Sequence, residues 1–82
     1  MTTSSEALIT MMSLQECLYY IVRADCGGIP EKDVYFDDAL AHIREQGFRN
    51  IAMCAVEIRA LIHAAKRRGR LEELDRAVEG VN

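Results

Sequence analysis

Helix-breaking residues are scarce in this chain, which has one proline and five glycines among 82 residues. Hydrophobic residues make up 50% of the sequence. This composition excludes a disordered chain and predicts packed structure. The length predicts one domain, and we expect residues 1–5 to be a frayed N-terminal segment and residues 6–82 to form a single helical domain.

The sequence also lacks a long apolar run and has no basic stretch near Met1. A membrane-spanning helix needs about 18 or more apolar residues, and a secretory signal begins with positive charge. We therefore expect a cytoplasmic protein without membrane contact. The formal net charge of −3 gives no reason to expect non-specific binding to nucleic acid.

Metal-ligating residues are few and have no recognised spacing. There is no CxxC pair, and the candidates are Cys17, Cys26, Cys54, His42 and His63. A metal site needs three or four such side chains that converge, so we expect no metal and no cofactor. Cys17 and Cys54 lie among apolar residues, which predicts small buried side chains with reduced thiols.

No motif for catalysis is present either. Cys26 follows a predicted helix, and the partial negative charge of a helix C-terminus opposes a thiolate. The acidic pairs at 37–38 and 72–73 fit the first turns of helices, and Gly27-Gly28 does not precede a helix as a phosphate-binding loop does. The sequence therefore predicts a protein that is not an enzyme.

Apolar residues recur at spacings of three and four, which predicts an all-α fold, a compact bundle of four or five short helices. A glycine follows the first three helices, and Asp37 and Asn50 are the predicted N-caps of the second and third. Residues 34–36 could be either a packing loop or a helical turn. The predicted helices cover residues 6–24, 39–46, 51–68 and 71–79.

The first predicted helix is apolar over more than half of its circumference. Met11, Met12, Tyr19 and Tyr20 lie on this wide face, and Met and Tyr are enriched in protein interfaces. Either the other helices of the chain cover the face, or a second copy does. We predict self-association through these four residues, and hence a homodimer.

A basic run, Lys66, Arg67, Arg68 and Arg70, follows the third predicted helix. One interpretation is a helix C-terminus that matches the helix dipole, with solvated charges partly balanced by Glu72, Glu73 and Asp75. The other is an electrostatic docking patch for an acidic partner protein. We predict these four basic residues as partner-binding residues.

A helix-turn-helix is the alternative prediction for residues 39 onward. A short helix, the turn at 47–49 and a helix from Asn50 have the outline of that motif. The second helix would enter the DNA groove, yet its first turns are poor in hydrogen-bonding side chains and include Glu57. Binding would depend on Arg49 and the basic run, so a small dimeric DNA-binding regulator is the alternative function.

The second half of the chain resembles the bacterial effector-associated domains, small helical bundles of the death-like class. The resemblance lies in a helix, a basic turn, Gly-Arg-Leu and a helix that begins with paired acids, at residues 64–74. It implies a homotypic adaptor in a defence or signalling assembly. The sequence thus predicts a non-catalytic interaction module, an adaptor or an inhibitor of a larger complex, bacterial or from a phage.

Overall fold

The computed structural model describes residues 11–80. This part of the chain contains helices and turns and no strand, so the predicted all-α fold is confirmed. The predicted frayed segment 1–5 and residues 6–10 of the first predicted helix lie outside the described residues. Residues 11–80 contain four helices, α1 (Leu14–Asp25), α2 (Asp33–Gln46), α3 (Ala55–Arg67) and α4 (Leu71–Glu79), with a 3₁₀ turn at Phe48–Asn50.

Helix α1 begins at a capping box. The Ser13 hydroxyl accepts a hydrogen bond from the Glu16 N–H (3.1 Å), and the Glu16 carboxylate accepts one from the Ser13 N–H (3.1 Å). These bonds satisfy N–H groups that have no partner within a helix, which fixes its start. The prediction that Met11 and Met12 lie in a helix is therefore wrong.

Helix α2 starts before the predicted N-cap at Asp37 and includes residues 34–36 as its first turn. Burial accounts for the earlier start of α2. Phe36, Leu40 and Ile43 share one face of the helix, and each residue is at most 1% exposed. Asp37 forms an ion pair with Arg70 and is not a cap. The burial of Phe36 outweighs the local preference of aspartate for a helix start.

The predicted glycine ending of α2 is confirmed, because Gly47 follows the helix with a φ of +85°. The predicted role of Asn50 is wrong. Its side-chain amide donates to the Gln46 carbonyl (2.8 Å), so Asn50 closes the end of α2 and does not start α3. Helix α3 starts at Ala55, and the Glu57 carboxylate accepts from the Cys54 N–H (3.0 Å). Cys54 is consequently exposed, not buried as predicted.

The core forms where the four helices meet. Helix α3 packs on α1, and the small side chains Ala60 and Ala64 of α3 are at most 1% exposed. Val56, in the first turn of α3, is 51% exposed. The last helix has the predicted bounds. The core comprises Cys17, Ile21, Phe36, Ala39, Leu40, Ile43, Ala60, Leu61, Ala64, Ala65, Leu74 and Ala77.

Candidate protein-interaction surface

The three tyrosines of the chain lie in contact with one another. The ring centroids of Tyr19 and Tyr20 are 5.4 Å apart in an edge-to-face arrangement, and Tyr20 stacks on Tyr35 of α2 at 5.0 Å. We call these three side chains the tyrosine row. Tyrosine combines a large apolar area with a polar tip and few rotatable bonds, which makes it effective in protein interfaces.

Tyr19 is the exposed end of the tyrosine row. Cys17, Leu18 and Ile21 form the buried stripe of α1, so Tyr19 lies on the opposite side of the helix and is 55% exposed. The Arg23 guanidinium lies 5.7 Å from the centroid of its ring and donates to its hydroxyl (3.3 Å). The contacts with Tyr20 and with Arg23 together hold the exposed Tyr19 ring in a defined orientation.

A groove between α1 and the start of α3 adjoins Tyr19. Val56 lies across the groove from α1 and is 51% exposed, so apolar surface continues from the tyrosine row onto α3. We call it the α1–α3 groove. Its volume is about 460 Å³, and it is lined by Gln15, Leu18, Tyr19, Val22, Cys54, Val56 and Glu57.

The two methionines predicted for self-association lie before α1, whereas Tyr19 and Tyr20 lie in its middle. Met11 is 47% exposed. Met12 is half-buried, and its main chain is held between two side chains of α2. Its N–H donates to Asp38 (3.0 Å), and its carbonyl accepts from the ring of His42 (2.7 Å). Met12 therefore anchors the chain to α2.

Sequence reasoning missed Tyr35 as a member of this surface. Its position one turn before Ala39, on the helix that Phe36, Leu40 and Ile43 continue, is the signal that could have found it. Extending the apolar periodicity of α2 back through residues 34–36 would have placed Tyr35 on a helix. Its contact with Tyr20 depends on how α1 and α2 pack, which periodicity does not give.

The predicted partner-binding residues form what we call the basic corner: Lys66, Arg67, Arg68 and Arg70. Its three arginines are bound to carboxylates of the same chain. The sequence suggested Glu72, Glu73 and Asp75 as the balancing acids, but most of the partners come from the end of α1, the loop after it and the first turns of α2. The partners are Asp25 and Glu31 for Arg67, Glu31 and Asp33 for Arg68, and Asp37 and Glu73 for Arg70.

These ion pairs change the titration of their members. Burial alone would raise the pKa of Asp25, but hydrogen bonds from His63 and Arg67 outweigh it and lower that pKa. Hydrogen bonds from Arg70 and then Arg44 lower the pKa of Glu73 to about 2.

Lys66 is exposed and forms no ion pair with any residue in the range 11–80. An acidic partner would have to compete with the chain's own carboxylates for the arginines.

A second apolar groove lies between α3 and α4. Val78, 37% exposed, lies at its edge with Asp75 and Glu79. The groove has a volume of about 220 Å³, half that of the first groove. It is lined by Phe48, Met53, Ile58, Leu61, Ile62, Leu74, Asp75, Val78 and Glu79.

The described part of the chain contains no group of three or more histidine, cysteine, aspartate or glutamate side chains placed to hold a metal ion. Cys17 is completely buried, as predicted, and burial raises the pKa of its thiol to about 11, with smaller contributions from Asp38 and Glu16. Cys26 and Cys54 are exposed. None of the helices within residues 11–80 combines the length and apolar content needed to cross a membrane.

The connection between α2 and α3 spans residues 47–54 and contains a 3₁₀ turn and an extended segment. A helix-turn-helix has a turn of about three or four residues, so the predicted boundaries of that motif are wrong.

No protein-family model matches this chain, and comparisons with curated proteins and solved structures found no significant similarity. The resemblance to effector-associated domains stays a prediction.

Proposed function

We propose that this chain is a non-catalytic protein-interaction module that binds through the tyrosine row and Val56 of the α1–α3 groove. The exposure of Tyr19 and Val56 on the same groove supports this proposal most directly. Both side chains place large apolar groups in water in the isolated chain. Their burial against another protein would be favourable at about 25 cal/mol per Å² of apolar area.

The side-chain contacts within this surface support an adaptor or an inhibitor that docks on a larger complex, as in bacterial or phage defence systems. Such a role needs a pre-ordered surface and no chemistry. Tyr20 stacks on Tyr35, and Arg23 holds Tyr19, so binding would order few additional side chains. A surface that is already ordered loses less conformational entropy when it binds.

The basic corner is a weaker candidate for partner binding, because Arg67, Arg68 and Arg70 are paired within the chain. The same pairing weakens the alternative of a DNA-binding regulator, which would need these arginines for phosphate contacts. DNA binding predicts a steep dependence of affinity on salt, and loss of binding when the three arginines are replaced by alanine. Undetectable affinity at low salt would exclude it.

The proposed function can be tested by comparing what matched variants capture from a bacterial lysate. Tyr19→Ala and Val56→Ser alter exposed side chains of the proposed surface, and Val78→Ser is the control at the other groove. We expect the wild type and Val78→Ser to capture the same protein, which can be a second copy of this chain. Tyr19→Ala and Val56→Ser should bind that protein about tenfold or more weakly, as expected for a binding hot spot that contains a tyrosine. Equal binding by all four proteins would contradict the proposal.

A further inference from the structure

We infer that the tyrosine row binds a second copy of this chain, with the two α1 helices antiparallel about a twofold axis near Tyr19. This inference rests on the proposed function and names its partner. The observation behind it is the charge pattern of α1. Glu16 and Arg23, of opposite sign, flank Tyr19 on the exposed side of the helix.

The spacing of these charges suits a twofold arrangement. Glu16 lies three positions before Tyr19 and Arg23 four positions after it, so the three side chains share one face of the helix. In an antiparallel pair that places Tyr19 opposite Tyr20 of the partner copy, Glu16 faces Arg23 of the partner copy. The symmetry repeats the contact, so one pattern forms two ion pairs.

A parallel arrangement lacks this match. With the helices parallel and in register, Glu16 would face Glu16 of the other copy, and Arg23 would face Arg23. Like charges placed opposite each other at an interface repel, so the pattern selects the antiparallel pair. Selection against the wrong orientation is what a specific self-contact requires.

Both side chains are available for such a contact. Among residues 11–80, neither Glu16 nor Arg23 forms an ion pair. The capping box uses one carboxylate oxygen of Glu16, Oε1, and leaves Oε2 without a hydrogen bond in this part of the chain. Arg23 donates from Nη1 to Tyr19, which leaves its Nε and Nη2 groups for another acceptor.

The size of the surface sets the expected affinity. One exposed face of a twelve-residue helix, extended by Tyr35 and Val56, is small for a protein interface. Stable specific interfaces bury about 1,200–2,000 Å² in total, so a surface of this extent predicts weak association. We therefore expect a reversible dimer with a Kd of the order of micromolar.

The test is sedimentation equilibrium of the full chain and of two charge-reversal variants, Glu16→Arg and Arg23→Glu, alone and mixed. We expect each variant alone to dimerise about tenfold or more weakly, because like charges then face each other. An equimolar mixture should recover an affinity within about threefold of the wild type, because every cross-pair joins opposite charges. Arg76→Glu, at an exposed position of α4, is the control and should dimerise normally.

The mixing step separates charge pairing from folding. Glu16→Arg removes the Glu16 half of the capping box, and Arg23→Glu removes the hydrogen bond to Tyr19, in the mixture as well as alone. Recovery on mixing therefore reports only the contact between chains. Normal dimerisation of either variant alone, or no recovery in the mixture, would overturn the antiparallel arrangement. A wild-type chain that stays monomeric at about 1 mM would exclude the second copy, while the capture experiment still decides the proposed function.

Discussion

Arg70 and Glu73 form a bidentate ion pair, with Nε–Oε1 and Nη2–Oε2 distances of 2.8 and 3.0 Å. The same guanidinium lies 4.9 Å from the centroid of the buried Phe36 ring and binds Asp37. Arg70 therefore joins the turn between α3 and α4 to the first turns of α2. In the described structure, this part of the basic corner holds helices together.

This ion pair predicts a loss of stability in acid. Arg70 and Arg44 hold the pKa of Glu73 at about 2, below its ordinary value of 4.5. The folded chain therefore keeps Glu73 ionised where the unfolded chain protonates it. The contribution of Glu73 to the free energy of unfolding is present above about pH 4.5 and is lost as the pH falls toward about 2.

Urea denaturation at several pH values checks this prediction. Glu73→Gln should make the free energy of unfolding depend less steeply on pH in the acid range. Glu72→Gln is the matched control, because the Glu72 side chain is 85% exposed and forms only a long contact with Arg76. An identical slope for Glu73→Gln and the wild type would contradict the assigned ion pair.

The pair of Arg68 and Glu31 should contribute more than a surface salt bridge. Their side chains are only 15% and 13% exposed. Glu31→Gln leaves the guanidinium of Arg68 with weaker acceptors, and we expect the free energy of unfolding to fall by about 1–3 kcal/mol. Glu72→Ala, which breaks a pair that is 62% and 85% exposed, should cost about 0–0.5 kcal/mol.

A double-mutant cycle with Glu31→Gln and Arg68→Met separates the pair from the other contacts of each residue. We expect the two changes together to cost less than the sum of the single changes, by about 0.5–3 kcal/mol, because each removes the same interaction. Strictly additive effects, measured by urea denaturation, would show that the two side chains do not interact in solution.

Local sequence signals gave the helix ends more reliably than the helix starts. The end of α2 at Gly47 was predicted, because glycine ends a helix through its own backbone. The start of α4 is the exception, since both of its bounds were predicted. The start of α2 depends on the burial of Phe36 by other helices, and Cys54 is an unusual residue to precede α3. Propensity does not include such tertiary contributions.

The candidate surfaces show the same division. Tyr19 and Tyr20 could be selected from the periodicity of one helix, whereas Tyr35 joins them only because α1 packs on α2. Arg68 and Glu31 are 37 positions apart in the sequence, so no local pattern indicates that they pair. The sequence located the basic corner and left open the carboxylates that bind it.

The three thiols should differ in reactivity. Burial raises the pKa of Cys17 to about 11, so at mildly alkaline pH its thiol is both protonated and inaccessible. Cys26 and Cys54 are exposed. We expect a disulfide reagent to modify two thiols per native chain rapidly and the third only after denaturant is added. Rapid modification of all three thiols in the native chain would contradict the buried position of Cys17.

Lys66 distinguishes a docking role of the basic corner from a structural one. It is exposed and forms no ion pair with residues 11–80, whereas Arg67, Arg68 and Arg70 all do. We expect Lys66→Glu to change the free energy of unfolding by less than about 0.5 kcal/mol, as exposed substitutions usually do. If the corner only joins helices, this variant should also capture the same protein as the wild type.

The opposite result would revise the proposed surface. If Lys66→Glu weakens capture about tenfold, as Tyr19→Ala is expected to, an acidic partner contacts the corner through its free lysine. Lys66→Ala should then show a smaller loss, because it removes attraction without adding repulsion. A graded effect of this kind, at unchanged stability, would add the basic corner to the binding surface formed by the tyrosine row and Val56.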